Sequence, residues 1–319
     1  MSLAQRPTSV RELFRLSDRI SFLYVERGVV NREANAITVA TPKGVVHVPS
    51  AAIGCLLIGP GTSVTHQAMS LMAQSGMTSV WVGEAAVRYY AHGAPLTRSS
   101  RLVEAQAHLV SRPKDRLRVA REMYLRRFPG EAVGGLSMEQ LRGREGARVR
   151  AAYKSESERT GVPWRRRQYN PEDFATGDAV NQALSAANHC LYGIVHTVIV
   201  SLACSPALGF VHNGTERAFV FDIADLYKTE MTVPVAFEVA AMANEDTELD
   251  IPAATRRLFR DRQHSGGLLG RCTRDVKELL LGPDEAASEP MGDVVMLWDE
   301  RGASVAGGVN YDEVYEVPW

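Results

Sequence analysis

His212, Asp222 and Asp225 stand within fourteen residues of one another, and Glu145 lies far upstream. The two aspartates are three apart, a spacing that puts them on one face of a helix. Between the histidine and the aspartates, the apolar run Ala218–Phe221 reads as a strand-like piece that buries beside them. Carboxylate oxygens with one imidazole suit a hard divalent cation such as Mg²⁺ or Mn²⁺. Such a centre serves phosphodiester chemistry.

Each residue also has a plainer reading. Glu145 sits among Arg142, Arg144, Arg148 and Arg150, the setting of a surface ion pair. His212 precedes the turn signal Asn213–Gly214, where a hydrogen-bonded histidine is ordinary. Asp222 and Asp225 begin a helix with Leu226 and Tyr227, where capping and the helix dipole favour acids. Capping accounts for one aspartate and leaves the other over. Gly143 and Gly146 flank Glu145; each glycine costs a helix about 1 kcal/mol, so the pair reads as room for close backbone approach. Three carboxylates held together repel unless a cation joins them.

The elements that must position these groups come in two blocks. Residues 18–92 carry short β-branched or apolar runs at 20–25, 36–40, 45–48, 53–58, 79–82 and 87–91, punctuated by Gly28, Asn35, Pro42–Gly44 and Pro49. One helix is expected over 65–74, and a hairpin around Gly83–Glu84. Past residue 98 the apolar period becomes helical. Pro113 separates two helices, Ser137 caps a short one, and Asp178 caps a long core helix from Val180 to Leu202. Further helices are expected over 234–242, 252–259 and 268–281, and extended segments over 294–298 and 314–319. His189 and His196, on the long helix, read as structural. The expected class is α+β, a small N-terminal β-sheet domain followed by a larger all-α C-terminal domain. The expected boundaries are 1–94, 95–283 and an acidic, aromatic tail at 284–319.

The net charge of −1 conceals a strong asymmetry. Residues 101–167 hold 17 Lys and Arg against 8 Asp and Glu, whereas 284–319 hold 1 Arg against 9 acids. A basic middle attracts a polyanion or is a set of solvated helical faces. Within it, the loop 160–171 interleaves Arg165, Arg166 and Arg167 with Trp164 and Tyr169, with Phe174 just beyond, a pattern suited to gripping phosphates and stacking on bases. The loop has few apolar anchors, so it is expected to order on DNA. The 4 cysteines show no Cys-x-x-Cys spacing and read as buried free thiols of a reducing compartment. No P-loop, dinucleotide fingerprint or zinc spacing is present. The apolar run 193–211, with His196, Cys204 and Pro206, reads as a buried helix and turn rather than a membrane span. The N-terminus has no apolar signal region, so the expected location is the cytoplasm.

Several longer stretches resemble the CRISPR-associated adaptation integrases, the Cas-one family, in its subtype I-E branch. They are 139–150 around Glu145, 167–174, 177–187, 190–193, 209–212 ending at His212, 221–225 holding both aspartates, and 80–91 in the sheet region. The resemblance implies a metal-dependent DNA nuclease and integrase with an N-terminal β domain and a helical catalytic domain. Carried onto this sequence, it implies Glu145, His212 and Asp225 as ligands of Mg²⁺ or Mn²⁺, with Asp222 as the supporting acid. Arg88, Arg142 and Arg148 fall where the family is basic. The implied reaction is attack of a spacer-precursor DNA 3′-hydroxyl on a phosphodiester at the CRISPR repeat. The implied partners are DNA, a second copy of the chain joined through the β domain, and a Cas-two dimer; no membrane is implied. The alternative is a non-catalytic DNA-binding scaffold of the same fold.

Overall fold

Alternation of apolar and polar side chains in the first block builds two four-stranded sheets rather than one. The computed structural model describes residues 23–50, 53–75, 77–83, 89–93, 100–167, 177–286, 296–297 and 305–306. One sheet contains β2 (Val29–Glu33), β3 (Ala36–Thr41), β4 (Gly44–Pro49) and β6 (Ser63–Val64), in the order β4-β3-β2-β6. The other contains β1 (Leu23–Val25), β5 (Cys55–Ile58), β7 (Thr78–Val82) and β8 (Tyr89–His92), in the order β1-β5-β7-β8. The expected hairpin is the antiparallel pair β7–β8, with Trp81 opposite Ala91; the residues around Glu84 lie outside the described ones. Helix α1 (His66–Gln74), capped by the Thr65 side chain on the Ala68 amide, is the expected single helix of this block.

Strand β5 is buried on both faces, and its period of two sorts its side chains between two cores. Leu56 and Ile58 join Val30, Ile37, Leu71 and Met72 in the β-region core. Cys55 and Leu57, with Val80 and Val82 of β7, join the core of the helical block. The second sheet is thus shared, one face closing each core. The expected boundary at residue 94 falls outside the described residues.

The helical block comprises α2 (Arg101–Ser111), α3 (Pro113–Arg127), α4 (Met138–Thr160), α5 (Ala179–Ser201), α6 (Ala218–Asp225), α7 (Val233–Glu245), α8 (Ile251–Gly266), α9 (Leu268–Leu281) and the short α10 (Pro283–Ala286). A π-helical turn, Lys228–Thr232, joins α6 to α7. Asp178 caps α5 on the Asn181 amide, as expected. This helix is long and apolar enough to cross a membrane, but 83% of its apolar window is buried inside the chain, where it is the central core helix.

Three expectations are corrected. Ala218–Phe221 is the first half of α6 and not a strand, so Asp222 and Asp225 lie in its second half. The short helix after Ser137 and the segment beyond Arg144 are one continuous 23-residue α4, whose start is fixed by a capping box between Ser137 and Gln140. Gly143 has nothing within 4 Å of where a Cβ would stand, and Gly146 meets only the Arg150 side chain, so neither marks a close backbone approach. In the tail, the described residues Met296–Leu297 pair antiparallel with Val305–Ala306; the expected strand over 314–319 lies outside the described residues.

Candidate active site

Four segments converge on one small cavity: the end of α3, the first half of α4, the turn before α6, and α6 itself. Its lining includes Tyr124, Arg127, Glu145, His212, Asp222 and Asp225. Glu145 is held from α3. Its Oε2 accepts the Tyr124 hydroxyl at 2.6 Å, and its Oε1 accepts Arg127 Nη1. The same Nη1 lies 3.9 Å from Asp225 Oδ2. A single guanidinium nitrogen therefore stands between the two carboxylates. Burial, and then the hydrogen bond to Glu145, push the Tyr124 phenol well above its ordinary range, so it remains a donor.

The turn carrying His212 is fixed before it reaches the cavity. Gln106 of α2, fully buried, donates to the Ser205 and Leu208 carbonyls and accepts the Ser205 amide. Arg116 of α3 donates to the Phe210 carbonyl at 2.8 Å. Gly209 is obligatory here: a Cβ would stand 2.6 Å from the His212 carbonyl oxygen and 2.8 Å from Ala218 Cβ. Asp222 then closes the turn. Its carboxylate accepts the backbone amides of Phe210, Val211 and His212 and the Nδ1 of the His212 ring at 2.7 Å. With Nδ1 occupied, Nε2 is the ring nitrogen left for another partner. The hydrogen bond to Asp222 outweighs burial and raises the His212 pKa. Asp225, one helical turn on, pairs with Lys228 Nζ at 2.7 Å. Burial opposes the charge of Lys228, but Asp225 and Tyr192 outweigh it and the ammonium stays charged.

Glu145, His212 and Asp225 are thus brought to one cavity. As arranged, they are not a ready-made coordination shell: among the described residues no three His, Cys, Asp or Glu side chains stand close enough to share an ion. The donor chemistry fits a hard cation nonetheless. Two carboxylates already converge on one positive nitrogen, and a buried acid fixes the tautomer-setting side of the histidine, the usual arrangement behind a metal-bound imidazole. Tyr124, Arg127 and Lys228 are absent from the sequence-based set. Lys228, three residues after Asp225, was open to detection as a helical ion pair; nothing local distinguishes Arg127 from its neighbours.

A larger cleft, about 370 Å³, has Lys228 in its wall. Arg167, Arg217, His189, Tyr192 and Phe221 line it. Arg217 lies over the Phe221 ring at 5.4 Å, and that ring is 5.8 Å from the His212 ring. Burial lowers the His189 pKa to about 4, and its Nδ1 lies 2.7 Å from the Ser185 carbonyl. Of the residues expected to grip phosphates, Arg142, Arg165 and Arg166 are exposed. Arg148 pairs with Glu131. Arg167 is bound to Asn181 and Ser185 at the start of α5. Trp164 is not free to stack on a base, because it stacks on Tyr153 at 4.5 Å and 15°. Val162 is buried beside it, so this part of the loop has apolar anchors. Arg88, Tyr169 and Phe174 lie outside the described residues.

Known proteins share this arrangement of sheets and helices. The profile of the family described as CRISPR associated protein Cas1 matches residues 23–133 and 131–247. The CRISPR-associated endonuclease Cas1 of Clostridium sp. (strain SY8519) is 46% identical over 305 residues, covering 95% of this chain and 99% of its own. That of Escherichia coli (strain K12) is 41% identical over 246 residues, 77% of this chain and 81% of its own. A crystal structure of a TtCas1–DNA complex superposes with a TM-score of 0.78 at 42% identity, covering 91% of this chain and all of that one. A four-segment site on a β-region followed by a helical block, together with identity along nearly the whole length, shows that the chain belongs to the CRISPR-associated Cas1 family.

Proposed function

We propose that the chain is a metal-dependent DNA endonuclease and integrase of CRISPR adaptation, of the subtype I-E kind, which inserts spacers by transesterification. The observation that carries this reading is the convergence of Glu145, His212 and Asp225 on one cavity, with Asp222 locked behind the histidine. Glu145, His212 Nε2 and Asp225 would hold Mg²⁺ or Mn²⁺, which supplies Lewis acidity toward a phosphate and an attacking 3′-hydroxyl. The chain's own side chains do the rest. Asp222 holds the imidazole in one orientation and one tautomer. Tyr124 and Arg127 fix the Glu145 carboxylate from α3. Lys228 and Arg217 line the larger cleft and place positive charge there, where it would neutralise a backbone phosphate. Tyr192 and Phe221 supply apolar wall to that cleft, with Lys228 and Arg217 over their rings. One phosphodiester replaces another, so no nucleotide cofactor enters.

The relative crystallised with DNA supports DNA as the substrate; a spacer precursor joined to a CRISPR repeat is the form of it that this reading assigns. Self-association through the β region and assembly with a Cas-two dimer belong to the same reading. In its support, β4 is an edge strand with Val45 and Val46 more than half exposed. The test is a thermal melt with and without Mn²⁺, alongside strand transfer of a 3′-hydroxyl duplex into a repeat-bearing plasmid. Mn²⁺ should raise the melting temperature of the native chain, and Asp225→Ala should abolish both that rise and strand transfer. DNA binding that persists with neither response would leave the scaffold reading standing.

A further inference from the structure

Among the described residues, none of helix α9 lines the site, yet α9 grips two of the segments that form it. Asp275, on α9, uses both carboxylate oxygens. Oδ1 accepts Arg126 Nη1 at 2.8 Å, and Oδ2 accepts the Tyr227 hydroxyl at 2.6 Å. Arg126 is the immediate neighbour of Arg127, whose guanidinium holds Glu145. Tyr227 lies between Asp225 and Lys228, which pair with each other. A single carboxylate outside the cavity therefore ties the end of α3 to the turn that presents Asp225.

The geometry makes the tie a stiff one. Tyr227 is 3% exposed, and its hydroxyl needs a partner in the interior. Arg271, one turn before Asp275 on α9, lies over the Tyr227 ring at 5.4 Å and pairs with Glu230 at 2.8 and 3.1 Å. Both contacts hold the π-helical turn against α9. That turn begins at Lys228, the residue that pairs with Asp225. Arg126 has a second ion-pair partner on α9, Glu278 at 3.1 Å.

We propose that Asp275 is a positioning residue for the active site, setting the separation of the Glu145 and Asp225 carboxylates by holding Arg126 and Tyr227 at once. This rests on the metal reading of the site. The test is the binding of Mn²⁺ alone to the full-length chain, followed by the paramagnetic signal of free Mn²⁺, with circular dichroism recorded on the same samples. Native binding should be lost in Glu145→Ala. Asp275→Ala should weaken Mn²⁺ binding about three- to tenfold, less than the roughly 10–100-fold typical of losing a direct partner of a ligand. Tyr227→Phe removes only the second half of the tie and should act in the same direction. Glu278→Ala removes a comparable ion pair of Arg126 and should leave Mn²⁺ affinity unchanged. If Asp275→Ala does not fold, Tyr227→Phe decides. Native affinity in folded Asp275→Ala or Tyr227→Phe overturns the proposal and leaves the metal reading intact. A loss in Glu278→Ala equal to that in Asp275→Ala overturns it too, as general loosening of α9. Absence of Glu145-dependent binding in the native chain overturns the metal reading, and this inference with it.

Discussion

Asp222 and Asp225 are three residues apart on one short helix and do different work. Asp222 is buried and gathers three backbone amides and an imidazole. Truncating it leaves those donors without an acceptor, and each buried orphan costs about 1–3 kcal/mol. Asp225 is half-buried and shares its charge with Lys228. Asp222→Ala is therefore expected to lower the melting temperature more than Asp225→Ala does, although Asp225→Ala loses the whole Mn²⁺ response. Differential scanning calorimetry of both variants, with and without Mn²⁺, separates the two effects; equal melting losses would contradict the assignment. Gly209 has its own requirement: Gly209→Ala should destabilise the chain, because its methyl group overlaps the His212 carbonyl and Ala218.

At the level of elements, the core helix α5 carries a pH dependence. Burial lowers the pKa of His189 to about 4 and that of His196 to about 3. An unfolded chain takes up these protons near the ordinary value of 6.5, so below it the unfolded state binds protons that the native state refuses. Stability is therefore intact above that value and falls as pH drops toward the native pKa values, at a rate of about 1.4 kcal/mol per pH unit for each buried histidine. Thermal melts from pH 7 to pH 4 should show a decline that His189→Gln/His196→Gln reduces; an unchanged decline would assign the acid sensitivity elsewhere. Helix α5 itself was legible in the sequence, from its Asp178 cap and its steps of three and four. So was the break at Pro113. The first half of α6 was not, because Ala218, Phe219 and Val220 are all buried, and a short helix buried on most sides has no amphipathic period to separate it from a strand. The continuity of α4 was hidden by two glycines that mark no break. The meeting of Glu145, His212 and Asp225 was readable from residue type and order, and the cations that face them were not. Arg126 and Arg127 are adjacent and alike, and only packing sends one toward Asp275 and the other toward Glu145.

Across the whole molecule, charge is divided between free and committed arginines. Arg165 and Arg166 are exposed, whereas Arg167 is hydrogen-bonded to α5. Arg165→Ala and Arg166→Ala should each reduce the salt dependence of DNA binding by about one unit of slope. Arg167→Ala should instead lower the melting temperature. Binding isotherms across ionic strength check the first pair, and unchanged slopes would make those arginines bystanders. The distribution of the site along the chain has a consequence for how the protein is made. Glu145 comes from α4, His212 from the turn after α5, Asp225 from the end of α6, and their counter-charges from α3 and the π-helical turn. Contacts this far apart in sequence form late, after the intervening chain has been ordered. When synthesis has reached the end of α5, the chain holds Glu145 but neither of the other groups. The candidate site is thus incomplete for most of the chain's synthesis, and is assembled only as the segment around Lys228 docks.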